Sequence, residues 1–267
     1  MKTKKLLYLL LFILFTAGQS CKKDSTLKDE PVSEITNSQS EDDATAVVDT
    51  SLLCYLPFNG NFKDKSGNNN NGKLIGPISF VDDRFGNPSK AISFSGTSSS
   101  YIEIPETQFA GLKSMTISMD FYPISTSHQE LISKMSFDAP YNSLEWYQSF
   151  TAGIEAGGTL DFDIRQENFC NNLNGGWNPV LFANSPVIYN SWNHMAITFD
   201  DNIQKIYLNG NLVDTDVKTA SPICSGGPIR LAVWWQTDPL YFTGKMDEVK
   251  LFKRVLSDKE IRKLSTK

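Results

Sequence analysis

A chain of 267 residues with 12% aromatics has room for one large all-β domain and a tail, since sandwiches commonly run to ~200–250 residues as a single domain. Its net charge of -5 excludes the basic footprint that nucleic acid requires. Two histidines, His128 and His194, exclude a multi-histidine zinc site within one chain, and the four cysteines include no Cys-x-x-Cys pair, which argues against structural zinc.

Residues 1–20 read as a targeting segment. Lys2, Lys4 and Lys5 form a basic start, and residues 6–15 form an apolar run. That run falls short of the roughly 20 apolar residues a membrane-spanning helix needs. Ala17-Gly18-Gln19-Ser20-Cys21 has the small residues before a cysteine of a loose lipobox, with Gln19 off the strict pattern. The expectation is cleavage before Cys21, lipidation of that cysteine and N-acylation; simple secretion is the alternative. Several acyl chains hold a protein to a membrane where one binds only marginally. Residues 21–50 then form a polar tether without aromatics, unable to bury enough apolar surface to offset its ordering entropy. Lys22 rather than Asp follows the lipid cysteine, which points to the outer membrane and surface display.

From residue 51 the pattern becomes that of short strands. Residues 52–58 open the domain, and an Asn/Gly/Asp/Ser loop follows over 59–72. Residues 91–96 and 101–105 are strands joined by a Ser/Thr turn. Residues 115–121 alternate, with Met115, Ile117, Met119 and Phe121 inward and Thr116, Ser118 and Asp120 outward. A short strand at 131–134 precedes a hairpin of 150–154 and 160–167 around Gly157-Gly158. Residues 168–186 form a long loop carrying Cys170 and Trp177. Strand, turn, strand, turn, strand follow over 192–213, with Asn209-Gly210 suited to a tight primed turn. Residues 229–236 and 245–253 close the set. Ser257 caps a short terminal helix, with Glu260 in the capping-box position.

Cys54 lies in an apolar strand, whereas Cys170 and Cys224 lie in polar, Gly/Asn-rich surroundings. In an exported protein the latter two are the natural disulfide pair, with Cys54 a buried thiol.

Three ordered motifs carry a family resemblance. They are Trp192-Asn193-His194-Met195-Ala196 with Ile206-Tyr207-Leu208-Asn209-Gly210, the opening strand and loop from Leu56 to Asn68, and the closing segment from Gly244 to Ser257. Together they resemble LamG-like jelly-roll domains of the concanavalin A-like lectin/glucanase superfamily, from about residue 50 to the C-terminus. The resemblance implies an all-β, two-sheet antiparallel jelly-roll sandwich over residues 51–267, with a short C-terminal helix. It places Trp192 in the core. It also brings the opening loop near the closing strand, where such domains often bind calcium. Asp247 is the best single ligand there and Asn59 the next; the alternative is a loop of Asx turns without metal. Calcium wants six to eight oxygen ligands.

Function is sought on the strand faces turned from the core. In 160–167 that face is Asp161, Asp163, Arg165 and Glu167; in 229–236 it is Arg230, Ala232, Trp234 and Gln236. Asp163, Arg165, Glu167, Trp234 and Gln236, with Trp177 as a wall, make a candidate sugar site. Sugar C–H faces stack on indole, and hydroxyls bond to carboxylate, guanidinium and amide. The alternative is a solvated face with intra-sheet ion pairs. His194 is read as a structural hydrogen-bonding residue. Laminarinase-type relatives carry three carboxylates on one strand face, and here Arg165 stands where one would be required, opposing a protonated general acid. The expectation is therefore a non-catalytic, surface-displayed, lipid-anchored protein whose partner is a glycan. A protein–protein adhesion module and a divergent glycoside hydrolase are the alternatives.

Overall fold

The computed structural model describes residues 49–96, 100–135, 148–165, 178–219, 222–234 and 240–266. Cys21, Cys170, Glu167, Trp177 and Gln236, each singled out above, lie outside them.

Fifteen strands and one helix are present among the described residues, in two antiparallel sheets. The larger sheet contains β1 (Leu52–Leu56), β3 (Ser79–Val81), β4 (Ala91–Ser95), β6 (Met115–Pro123), β11 (Asn193–Phe199), β12 (Ile203–Leu208), β13 (Asn211–Val217) and β15 (Thr243–Phe252). Its order is β13-β12-β11-β6-β15-β4-β3, with β1 also paired to β15. The second sheet contains β2 (Lys73–Ile75), β5 (Tyr101–Ile104), β7 (Gln129–Met135), β8 (Gln148–Ile154), β9 (Leu160–Ile164), β10 (Leu181–Phe182) and β14 (Ile229–Leu231), in the order β10-β9-β8-β7-β14-β5-β2. This is the expected jelly-roll sandwich.

Period-two patterning decides what lies between the sheets. Met115, Ile117, Met119 and Phe121 of β6 face Phe150, Ile154, Leu160 and Phe162 of the other sheet within one continuous core. Phe162 stacks on Phe199 across it, with centroids 6.0 Å apart. Cys54 is buried there as a free thiol, its Sγ donating to the Asn70 carbonyl at 3.5 Å.

The outer face of the larger sheet departs from expectation. Thr116, Ser118 and Asp120 do point away from the core, but all three are buried. Segments distant in sequence cover them. Thr116 Oγ1 donates to the Arg254 carbonyl and accepts from the Leu256 amide. Ser118 Oγ lies 3.0 Å from His194 Nε2, and Asp120 pairs with Arg84 at 3.1 Å. The terminal helix, α1 (Asp258–Ser265), begins at the predicted Ser257–Glu260 capping box. Its Ile261 packs with Ala196, Tyr207, Phe252 and Leu256 in a second small core.

Asn209 and Gly210 both have positive φ, 52° and 78°, so the two-residue turn from β12 to β13 forms as the pair predicts. A side chain on Gly210 would also strike the helix, because a methyl carbon there would sit 2.5 Å from Ser265 Oγ. Trp192 is a correction: it is half-buried beside the core rather than in it, meeting Tyr122 edge-on at 5.8 Å. The strand at 229–236 is another. β14 ends at Leu231 because Ala232 takes a φ of 70°, which breaks the alternation and leaves Ala232 and Val233 both buried.

Candidate functional site

The outer face of the second sheet carries a cleft of ≈ 90 Å³, lined by His128, Glu130, Thr151, Glu155, Asp161, Asp163, Trp234 and Leu240. Strand register assembles it. Glu130 of β7 is opposite Gly153 of β8, which is opposite Asp161 of β9. The next outward row is Ser133, Thr151 and Asp163. Leu160, Phe162 and Ile164 of β9 enter the core, so period two sends Asp161 and Asp163 to the cleft. The kink at Ala232 turns the chain so that Trp234, half-buried, reaches the same place.

Gly153 lets the acids close in. A methyl carbon built on it would sit 2.8 Å from the Gln129 carbonyl oxygen, 3.0 Å from Glu130 Oε2 and 3.3 Å from Asp161 Oδ1. Glu130 is 3% exposed and Asp161 5%, and Glu130 Oε1 and Asp161 Oδ1 have no hydrogen-bond partner among the described residues. Burial, reinforced by the neighbouring carboxylates, pushes the Glu130 carboxyl well above its usual range. Burial also lifts Asp161 to about 7, with Asp163 and Glu155 adding to the rise. It lifts Asp163 to about 6, with Glu155 raising it further and Arg165 opposing. At the rim, His128 Nε2 lies 3.9 Å from Glu155 Oε1.

Of the expected sugar-site residues, Asp163 and Trp234 come together in this cleft. Arg165 is buried at the end of β9 and acts on Asp163 electrostatically. Glu130, Thr151, Glu155, Asp161, His128 and Leu240 were not anticipated. The signal for Asp161 was present, since it shares the outward face of its strand with Asp163. Glu130 gives less signal, because a register shift lies between it and Ile132 and disrupts the alternation that would have placed it. His194 is structural as expected: it is buried, and desolvation lowers it to about 3.

Asn59 and Asp247, the expected calcium ligands, each have a local hydrogen-bond partner. Asn59 is exposed, and its carbonyl accepts from Asn61 Nδ2 at 2.8 Å. Asp64 of the same loop is occupied by four donors: Tyr55 N and Ser66 N on Oδ1, and Ser66 Oγ and Asn70 N on Oδ2. Asp247 is buried at the bulge of β15, where its Oδ1 accepts from the Glu248 amide. Burial, with Glu248, Asp120 and Asp83 nearby, raises it to about 8. Among the described residues no group of three or more His, Cys, Asp or Glu side chains is placed to hold a metal.

Cys224 is buried, its amide donating to Ser149 Oγ at 3.0 Å. It is not among the free thiols, and its expected partner, Cys170, lies outside the described residues.

A family model described as the concanavalin A-like lectin/glucanases superfamily, Laminin_G_3, matches residues 95–262. No curated protein matches the sequence. Solved structures share the fold. The binding domain of Paraclostridial Mosquitocidal Protein 1 aligns at a TM-score of 0.63 and 19% identity, over 82% of this chain and 52% of that one. Domain 4 of AbnA, a GH43 extracellular arabinanase from Geobacillus stearothermophilus solved with arabinotriose, aligns at 0.57 and 19%, over 80% and 98%. The binding domain of Botulinum Neurotoxin DC, solved in complex with SialylT, aligns at 0.59 and 19%, over 82% and 52%. This chain thus spans about half the length of the two toxin domains.

Proposed function

Given that the chain belongs to the concanavalin A-like lectin/glucanase superfamily, a scaffold that hosts many activities, we propose that it is a non-catalytic glycan-binding protein whose site is the cleft of the second sheet. The observation that carries this reading is the convergence of the Trp234 indole with Glu130, Asp161 and Asp163 in one depression. Indole takes the apolar face of a sugar, and carboxyl groups take its hydroxyls. The arabinanase domain solved with arabinotriose lends support, because this chain covers 98% of it. Lipid attachment at Cys21, with residues 21–50 as tether and residues 1–20 removed, would hold this cleft at the outer-membrane surface. A Cys170–Cys224 disulfide would tie residue 170 to the segment before β14.

A glycan-array screen of the protein beside Trp234→Ala tests the site. The expected result is binding that falls at least tenfold in the variant. Undiminished binding would move the site elsewhere, and no binding to any glycan would favour a protein partner. The anchor is tested by fractionation: Cys21→Ala should shift the protein from membrane to soluble fractions.

A specific observation favours one second reading. Asp161 at about 7 is tuned as a general acid near neutral pH would be, and glycosidases pair such an acid with a second carboxylate. Release of reducing ends by the protein, abolished in Asp161→Asn, would establish it.

A further inference from the structure

We infer that the cleft is built for a protonated primary amine, so that the glycan it holds is one carrying unsubstituted amino sugars. This rests on the glycan-binding reading and narrows its ligand.

Charge is the first argument. Four carboxyl groups line the cleft, from the start of β7 (Glu130), the residue after β8 (Glu155) and β9 (Asp161 and Asp163). The basic groups facing them are Arg165, which acts on Asp163, and His128 at the rim beside Glu155. Beyond burial, Asp161, Asp163 and Glu155 each raise the Glu130 carboxyl, against a hydrogen bond from Thr151. An anionic ligand would push these carboxyl groups up further, whereas a cation favours their ionised form and compensates it.

The second argument is the pair of orphaned oxygens. Glu130 Oε1 and Asp161 Oδ1 come from different strands, are more than nine-tenths buried and have no partner among the described residues. Buried acceptors without donors are costly. An ammonium group carries three donors and no acceptor, which matches a site of acceptors. Raised carboxyl pKa values are what such a site shows before a cation enters.

Size is the third. A volume of ≈ 90 Å³ is ample for one ammonium, since about 10–15 Å³ of such space holds a water. Trp234 lines the same depression, and an indole attracts both a sugar face and a cation. A divalent metal is the competing cation, although among the described residues no group of three or more His, Cys, Asp or Glu is placed to hold one.

The test is calorimetric titration of the full protein near pH 7 with glucosamine oligosaccharides and with N-acetylglucosamine oligosaccharides of equal length. These differ at the C2 nitrogen alone, a free amine in one and an acetamide in the other. The expected result is at least tenfold tighter binding of the free-amine series, lost at least tenfold in Glu130→Gln and in Asp161→Asn. Should either variant fail to fold, Asp163→Asn, at a half-buried position, carries the same comparison. Equal binding of both series, or binding confined to neutral glycans, overturns the amine inference and leaves the glycan reading standing. Binding of a lysine-rich peptide with no binding of any sugar overturns both.

Discussion

Lys134 Nζ, fully buried, lies 3.1 Å from Glu106 Oε1 and donates to the Gly227 carbonyl at 2.9 Å. Glu106 Oε1 also accepts from the Gly226 amide. One carboxylate thereby holds the sheet interior at β7 and the loop before β14. Removing one partner of a buried pair costs more than replacing it with an apolar isostere, because the remaining charge is stranded. Glu106→Gln, which strands the fully buried Lys134 ammonium, is expected to destabilise the protein by about 3 kcal/mol, and Lys134→Met by less, because the carboxylate it leaves is partly exposed. Urea denaturation of the two variants checks the order.

Gly153→Ala should act on the cleft without replacing a cleft side chain. Its added carbon would press on the Gln129 carbonyl and on the Glu130 and Asp161 carboxyl groups. Backbone cannot yield easily, and an overpacked contact of this kind costs about 1–3 kcal/mol. A lowered denaturation midpoint with an unchanged slope, together with weakened ligand binding, is the expected outcome.

The cleft acids also set a pH dependence. Asp161 and Asp163 have an ordinary value of 3.8 and are raised to about 7 and about 6 by burial. Between those limits the unfolded chain has released the proton that the folded one keeps. Stability from these groups is therefore complete below about pH 4 and lost as pH rises through 6 to 7. The Asp161→Asn/Asp163→Asn double variant lacks this loss. Its melting temperature should rise relative to the parent by roughly 3 °C or more on going from pH 4 to pH 8. A difference that stays constant across that range would refute the assignment.

What the sequence discloses here depends on how local the cause is. The Met115–Phe121 alternation, the Asn209-Gly210 turn and the Ser257–Glu260 cap are each fixed by residues within a few positions, and each is found as read. β2, β3 and β10 have two or three residues, too few to show a period. The burial of Thr116, Ser118 and Asp120 comes from Arg84, Arg254 and Leu256, far away along the chain. The cleft divides in the same way. Asp163 follows from strand parity, but Glu130 depends on a register shift, and Trp234 arrives by a positive φ at an alanine, which composition does not signal.

Calcium should leave the fold unmoved. The acceptors of the opening loop are taken by its own amides and hydroxyls, and Asp247 is engaged at its bulge. Thermal melts with millimolar calcium and with excess chelator are expected to superimpose. A ligand bound only to the folded state would separate them, and a clear rise in calcium would restore the metal site anticipated at Asp247 and Asn59.

β15 pairs with β6 along one edge and with β4 and then β1 along the other, yet its residues, 243–252, come after those of every other strand described. A ribosome delivers the flanks of this sheet long before its middle. Until Thr243–Phe252 emerges, β4 and β6 each present an open edge, and the long-range pairings that reward closure cannot begin. The nascent chain therefore stays pliable through most of its synthesis and closes late.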